Sequence, residues 1–89
     1  MSKGKYFLII VSLGTMLLAG CGGFLGFLQF QKAGIMLTQE RYEDAIPIYQ
    51  EFLSKNPDFV DARSRLGFAY LKTNRPDEAI AEFEKALKL

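Results

Sequence analysis

Five apolar positions recur in this chain at a fixed offset of 34 residues. Ala45, Ile46, Tyr49, Phe52 and Leu53 return as Ala79, Ile80, Phe83, Ala86 and Leu87. Self-similarity at a period of roughly 20–50 residues marks stacked units, each too small to bury its own apolar face alone. Within the later unit, Ala62, Leu66, Ala69, Tyr70 and Thr73 fall at spacings of three, four and seven, which is one face of a helix. Ala79, Ile80, Phe83, Ala86 and Leu87 do the same. Between the two runs, Thr73-Asn74-Arg75-Pro76 breaks the pattern. Asn tolerates the left-handed conformation that ends a helix, and Pro is preset for the first turn of the next. Asp77 and Glu78 then place negative charge where the new helix dipole favours it. Residues 60–89 are therefore expected to form a helix, a tight turn and an antiparallel helix. Asn56-Pro57-Asp58 closes the unit before them.

The motif carried by Leu66-Gly67, Tyr70, Ala79, Phe83 and Ala86, with Pro57 ending the preceding unit, resembles the tetratricopeptide repeat family. Small Gly67 and Ala79 let two helix backbones approach closely, and Leu66, Tyr70 and Phe83 fill the seam around them. Ala86 leaves room for a following helix. The resemblance covers residues 26–89 and implies an all-α fold: about two repeats, or four helices in antiparallel hairpins, behind an N-terminal signal or anchor. Departures are specific. Arg63 stands where the family usually has a large apolar residue. In the first unit, Lys32-Ala33 replaces Leu-Gly, Met36 replaces Tyr, and the turn Gln39-Glu40-Arg41 lacks Gly or Asn. Pro47 lies inside the second helix, where it removes a backbone hydrogen bond at a cost of roughly 3 kcal/mol unless the helix starts late or bends.

The N-terminus has a different character. A short basic head with Lys3 and Lys5 precedes an apolar run over residues 6–18, and Leu18-Ala19-Gly20-Cys21 follows. A positive head, an apolar core and small residues at its end are the parts of a secretory signal. With Cys21 directly after Leu-Ala-Gly, the segment resembles the lipobox of bacterial lipoproteins. That resemblance implies a diacylglycerol on the Cys21 thiol and cleavage just before it, and a thiolate is the chain's best nucleophile for such a step. It also implies sorting to an outer membrane by Gly22 in an enteric-type cell. The division expected is 1–20 signal, 21–25 lipidated start and short tether, 26–59 an irregular first unit and 60–89 a second unit. Two other readings fit the same run. Residues 6–31 carry no charged side chain and as a helix would extend about 39 Å, more than a bilayer core of ~30 Å, so an uncleaved span is one. A simple secreted form is the other. Phe24, Phe27, Leu28 and Phe30, spaced by three and four, either line the first repeat helix or lie in the lipid interface.

Composition narrows the function. Eleven basic side chains against ten acidic ones leave no surplus for nucleic acid. There is no His, so the commonest general base is absent, and the one Cys is assigned to the lipobox. Glu43, Asp44, Glu51, Glu78, Glu82 and Glu84 are expected on solvated helix faces as weak i,i+3 and i,i+4 partners. No ligand cluster suits zinc or calcium. An enzyme, a cofactor and a metal are not expected; a binding surface is. By resemblance, the groove face of the last unit is Asp61, Ser64, Phe68, Leu71 and Lys72. The alternative for Phe68 and Leu71 is packing against Phe27, Phe30 or Leu37. Asp61 and Gln31 occupy places where family members that clamp a peptide carboxylate need Lys and Asn, so that activity is not implied, although Arg65 is suitably basic. Two roles stay open: an envelope-anchored adaptor for a protein or extended peptide, and a structural piece that assembles with copies of itself or a larger complex. The second rests on the final helix, whose Ile80, Phe83, Leu87 and Leu89 surface is expected to lack a cover. A domain spanning residues 32–89 is expected to self-associate at micromolar concentration.

Overall fold

The computed structural model describes residues 21–89, as four helices: α1 (Cys21–Thr38), α2 (Tyr42–Lys55), α3 (Val60–Lys72) and α4 (Pro76–Leu87). The first twenty residues, including Leu18, Ala19 and Gly20 of the lipobox, lie outside the described part. Loops of three or four residues allow only antiparallel neighbours, so α1 and α2 form one hairpin and α3 and α4 the next. α2 and α3 pack side by side and join the hairpins, and α3 also touches α1. The stretch 21–25, read from sequence as a tether, is helical and continuous with the rest of α1.

One core runs through both hairpins. Phe30, Ala33 and Met36 come from α1, Ala45, Ile46, Tyr49, Phe52 and Leu53 from α2, and Ala62, Leu66, Ala69 and Tyr70 from α3. α4 adds Ala79, with Phe83 packed at the edge. Of the residues expected in the repeat seam, Leu66, Gly67, Tyr70 and Ala79 are buried, while Phe83 and Ala86 are partly so. Equivalent positions of the two units meet different fates. Ile46 and Leu53 are 4% and 6% exposed, but Ile80 and Leu87 are 52% and 87% exposed. α3 covers the first pair, and among the described residues α4 packs on α3 alone.

The two intra-hairpin turns are copies, again 34 residues apart. The Arg41 N–H donates to the Met36 carbonyl at 2.8 Å and the Glu40 N–H to Leu37 at 3.1 Å. In the second, Arg75 donates to Tyr70 at 2.8 Å and Asn74 to Leu71 at 3.2 Å. This paired pattern ends a helix through one left-handed residue. Asn74 takes that conformation at φ 62°, and Glu40 takes it at φ 61°. The first turn thus adopts the geometry of the second without the residue type that favours it. Glutamate in this region carries steric strain of about 1–2 kcal/mol that glycine does not. Glu40→Gly is expected to raise stability by about 1 kcal/mol, read as a higher urea midpoint at unchanged slope. No gain would mean that the turn carries no strain.

Pro47 sits inside α2, and the helix neither starts after it nor stops at it. Pro47 and Glu43, whose carbonyl loses its usual donor, are both exposed, so water can serve that oxygen.

Candidate partner-binding face

The first helix of each hairpin, α1 and α3, forms the side of the molecule on which the groove was expected. Asp61, Phe68, Leu71 and Lys72 are exposed on α3, and Ser64 is half-buried. They do not form one uniform surface. At the N-terminal end of α3, Arg65 folds back on its own helix, its Nε donating to Asp61 Oδ1 at 3.0 Å. The same guanidinium lies over the Phe30 ring, 4.7 Å from its centroid, within cation–π range. Gly34 makes room for it, since a Cβ there would come within 2.9 Å of Arg65 Nη1. Arg65 thereby bridges α3 to α1, and Asp61 is occupied in holding it.

At the other end of α3, Phe68 makes an edge-to-face contact with Tyr42 of α2, with centroids 5.9 Å apart at 73°. Lys72 Nζ stands 5.5 Å from the Phe68 centroid. Phe68 remains 41% exposed and Leu71 49%. Packing of Phe68 on Phe30 is not what the structure shows, because Phe30 is surrounded by Tyr49, Phe52 and Phe59 instead. The face therefore offers a half-open apolar patch of Phe68 and Leu71 flanked by the Lys72 ammonium. A patch of this size and polarity has the chemistry to accept an apolar side chain. Glu82, expected on a solvated face, is instead largely enclosed against α3, where Arg63 Nη1 meets its Oε2 at 2.8 Å.

Sequence reasoning did not anticipate the role of Tyr49. Its position corresponds to Phe83 in the second unit, so its hydroxyl is the one atom in which these residues differ beyond the ring. That hydroxyl is buried with the Arg65 guanidinium nearby, but not in the geometry of a hydrogen bond. Burial pushes the phenol above its ordinary value of 10.0, against the opposing pull of the Arg65 guanidinium. For Arg65, burial disfavours the charge but is outweighed by Tyr49 and Asp61, so its pKa is raised. The raised folded-state pKa of Tyr49 keeps its proton on in the native state where the unfolded chain has released it. Its contribution to stability is present below the unfolded value and is lost as pH rises through the folded one. Tyr49→Phe, which also removes an unpaired buried hydroxyl, is expected to be neutral or stabilising by about 1 kcal/mol near pH 7. Its urea midpoint should fall less than that of the parent between about pH 8 and pH 11. Equal alkaline losses in the two proteins would acquit Tyr49.

Among the described residues, no group of three or more His, Cys, Asp or Glu side chains converges as a metal site would require. No helix among them is long and apolar enough to cross a membrane. No curated protein and no solved structure matches the chain. The tetratricopeptide repeat family does match, over residues 36–89, which takes in the end of α1 and all of α2, α3 and α4. With that match across more than half its length, and two hairpins built on one 34-residue plan, this chain belongs to the tetratricopeptide repeat family.

Proposed function

We propose that this protein is a non-catalytic adaptor of the bacterial cell envelope, fastened to a membrane through a lipid on Cys21, whose repeat unit holds an extended segment of a partner protein. The observation that carries the binding role is the half-open Phe68–Leu71 patch beside Lys72, on the exposed side of α3. The anchor rests on the basic head, the apolar run and Leu18-Ala19-Gly20-Cys21. Lipid anchoring takes more than one acyl chain, because a single chain binds membranes only marginally.

Each half of the proposal has its own test. Cys21→Ser is expected to leave an unprocessed precursor that takes up no fatty-acid label. Normal processing of the variant would overturn the lipid anchor in favour of a secreted form, and a parent chain that is never cleaved would favour a transmembrane span. Leu71→Glu is expected to reduce partner capture from detergent-solubilised membranes at least tenfold. Leu71 is half-exposed, so the urea midpoint should move by no more than about 0.5 kcal/mol. A large loss of stability would make Leu71 a packing residue and end the groove assignment.

A second reading is favoured by the end of the chain, where Ile80 and Leu87 of α4 are exposed and Leu89 just beyond it is exposed too. An apolar face of this kind suits self-association or docking into a larger assembly. The unit to test starts earlier than residue 32, because Phe30 is part of the core. Sedimentation of a chain starting at Gly23 separates the two readings: dimers at micromolar concentration support assembly, and a monomer at every concentration supports the adaptor.

A further inference from the structure

The two ends of the hairpins differ in chemistry. The end carrying the intra-hairpin turns presents Gln39, Glu40, Arg41, Asn74, Arg75 and Asp77, all polar or charged. At the opposite end, where α1 begins, Phe24, Leu25, Phe27 and Leu28 are each about half-exposed. The α2–α3 loop brings Phe59 and Val60 to the same end, also exposed, and seats Phe59 against Phe30 at 5.2 Å between centroids.

The pattern along α1 is unusual for a helix at the edge of a repeat stack. Such a helix divides around its circumference, with an apolar stripe inward and polar residues outward. α1 divides along its axis instead. From Phe24 to Leu28 its exposed side chains are apolar; from Gln29 onward the exposed ones are polar (Gln29, Gln31, Lys32 and Thr38), with Ile35 the one apolar exception. Gly26 and Phe30 supply the strip that faces the rest of the protein, with Gly26 against the Phe52 ring at 3.8 Å. A change of polarity along an axis matches a boundary between two solvents crossed end-on, whereas a second copy packing side-on would call for a lengthwise stripe. From Cys21 to Gln31 the chain carries no charged side chain.

We infer that this end of the repeat unit is seated in the lipid interface, with α1 entering the bilayer directly and the α2–α3 loop resting on it. The seat rests on the membrane anchor proposed above and adds that nothing flexible separates anchor from domain. From Cys21 to Leu28 a helix rises about 10 Å, comparable with the ~5–10 Å depth at which apolar faces embed in the headgroup region. Charge at this end is balanced and does not carry the seat: Lys55 is paired with Glu51 at 3.6 Å, and Asp58 lies exposed in the loop. The domain is thus held upright with its polar turns farthest from the membrane. The Phe68–Leu71 patch stands near that far end, open to a partner in the aqueous space.

The chain contains no Trp, so single-Trp variants report without background. Leu25→Trp, Val60→Trp and Leu71→Trp each replace a half-exposed side chain in the full-length protein. Each would be purified from membranes and reconstituted into phosphatidylethanolamine–phosphatidylglycerol vesicles with or without brominated acyl chains. The expected result is strong quenching at position 25, clear partial quenching with a blue shift at 60, and none at 71. If position 60 is quenched no more than 71 while the protein floats with the vesicles, the seat is overturned and the anchor stands. If the protein stays out of the vesicle fraction, the anchor fails and the seat with it. A blue shift at 25 or 60 that grows with protein concentration and ignores bromination would overturn the seat in favour of a second copy.

Discussion

Arg63→Ala is expected to destabilise the protein by about 2–4 kcal/mol, the largest loss predicted for any single change outside the hydrophobic core. Arg63 stands at the place in α3 where the family usually has a large apolar residue. Its side chain joins three elements: Nη1 meets Glu82 Oε2 of α4 at 2.8 Å, and Nε donates to the Pro57 carbonyl of the preceding loop at 2.9 Å. The Arg63 and Glu82 side chains are only 15% and 13% exposed. An ion pair this enclosed gains little over apolar packing, because desolvation offsets the attraction; removing one partner, however, strands the other. Glu82 would keep only Lys85, at 3.5 Å and well exposed. The double change Arg63→Leu/Glu82→Leu is therefore expected to recover most of the loss. Urea midpoints of the parent, both single variants and the double would give the coupling directly. An Arg63→Ala variant within about 0.5 kcal/mol of the parent would make the pair a surface contact of no consequence.

That pair also marks a limit of what the sequence reveals. Periodicity in the last thirty residues put Ala62, Leu66, Ala69, Tyr70 and Ala79 on faces that are buried, because burial on a helix repeats every three or four positions. It put Ile80 and Leu87 there too, and those stay exposed; Gly67 followed from the repeat motif and not from periodicity. Arg63 and Glu82 lie 19 residues apart, and no local pattern couples them; each alone reads as a charged residue on a solvated face. The Glu40 turn was hidden for a different reason. Its residue type argues against a left-handed cap, yet the hairpin it closes is set by core contacts that outweigh about 1 kcal/mol of strain. The start of α1 was obscured by uniformity, since a helix apolar on every side has no period to read, and the tether expected over 21–25 is helix instead. At the candidate face, the α3 positions followed from the repeat, but Arg65 reaching across to Phe30 and Gly34 depends on how the hairpins stack. That stacking is tertiary information.

Among the described glycines, Gly67 has the tightest surroundings, and a large side chain there is expected to cost about 1–3 kcal/mol. A Cβ on Gly67 would sit 2.7, 2.9 and 3.0 Å from three atoms of the Phe83 ring, so even one carbon forces the ring to move. Phe83 is partly buried at the edge of the core and is the only large apolar residue of α4 packed there. Pushing it outward would loosen the contact through which α4 is held. Leucine is a better helix former than glycine by under ~1 kcal/mol, which reduces the loss without cancelling it. Gly67→Leu should therefore lower the urea midpoint. Gly34→Ala supplies the contrast within the same protein. Its new Cβ would crowd Arg65 Nη1 at 2.9 Å, the far end of a flexible side chain that can swing away, and would lie at ordinary contact distance, 3.9 Å, from the Tyr49 hydroxyl. Helix propensity then decides the sign, and a gain of about 0.5–1 kcal/mol is expected. Opposite signs at two helical glycines would separate one present for close packing from one that merely accommodates a neighbour. Destabilisation at both would mean that Arg65 is fixed against α1 more firmly than a surface arginine, while a stable Gly67→Leu would show that α4 can withdraw from α3 at little cost.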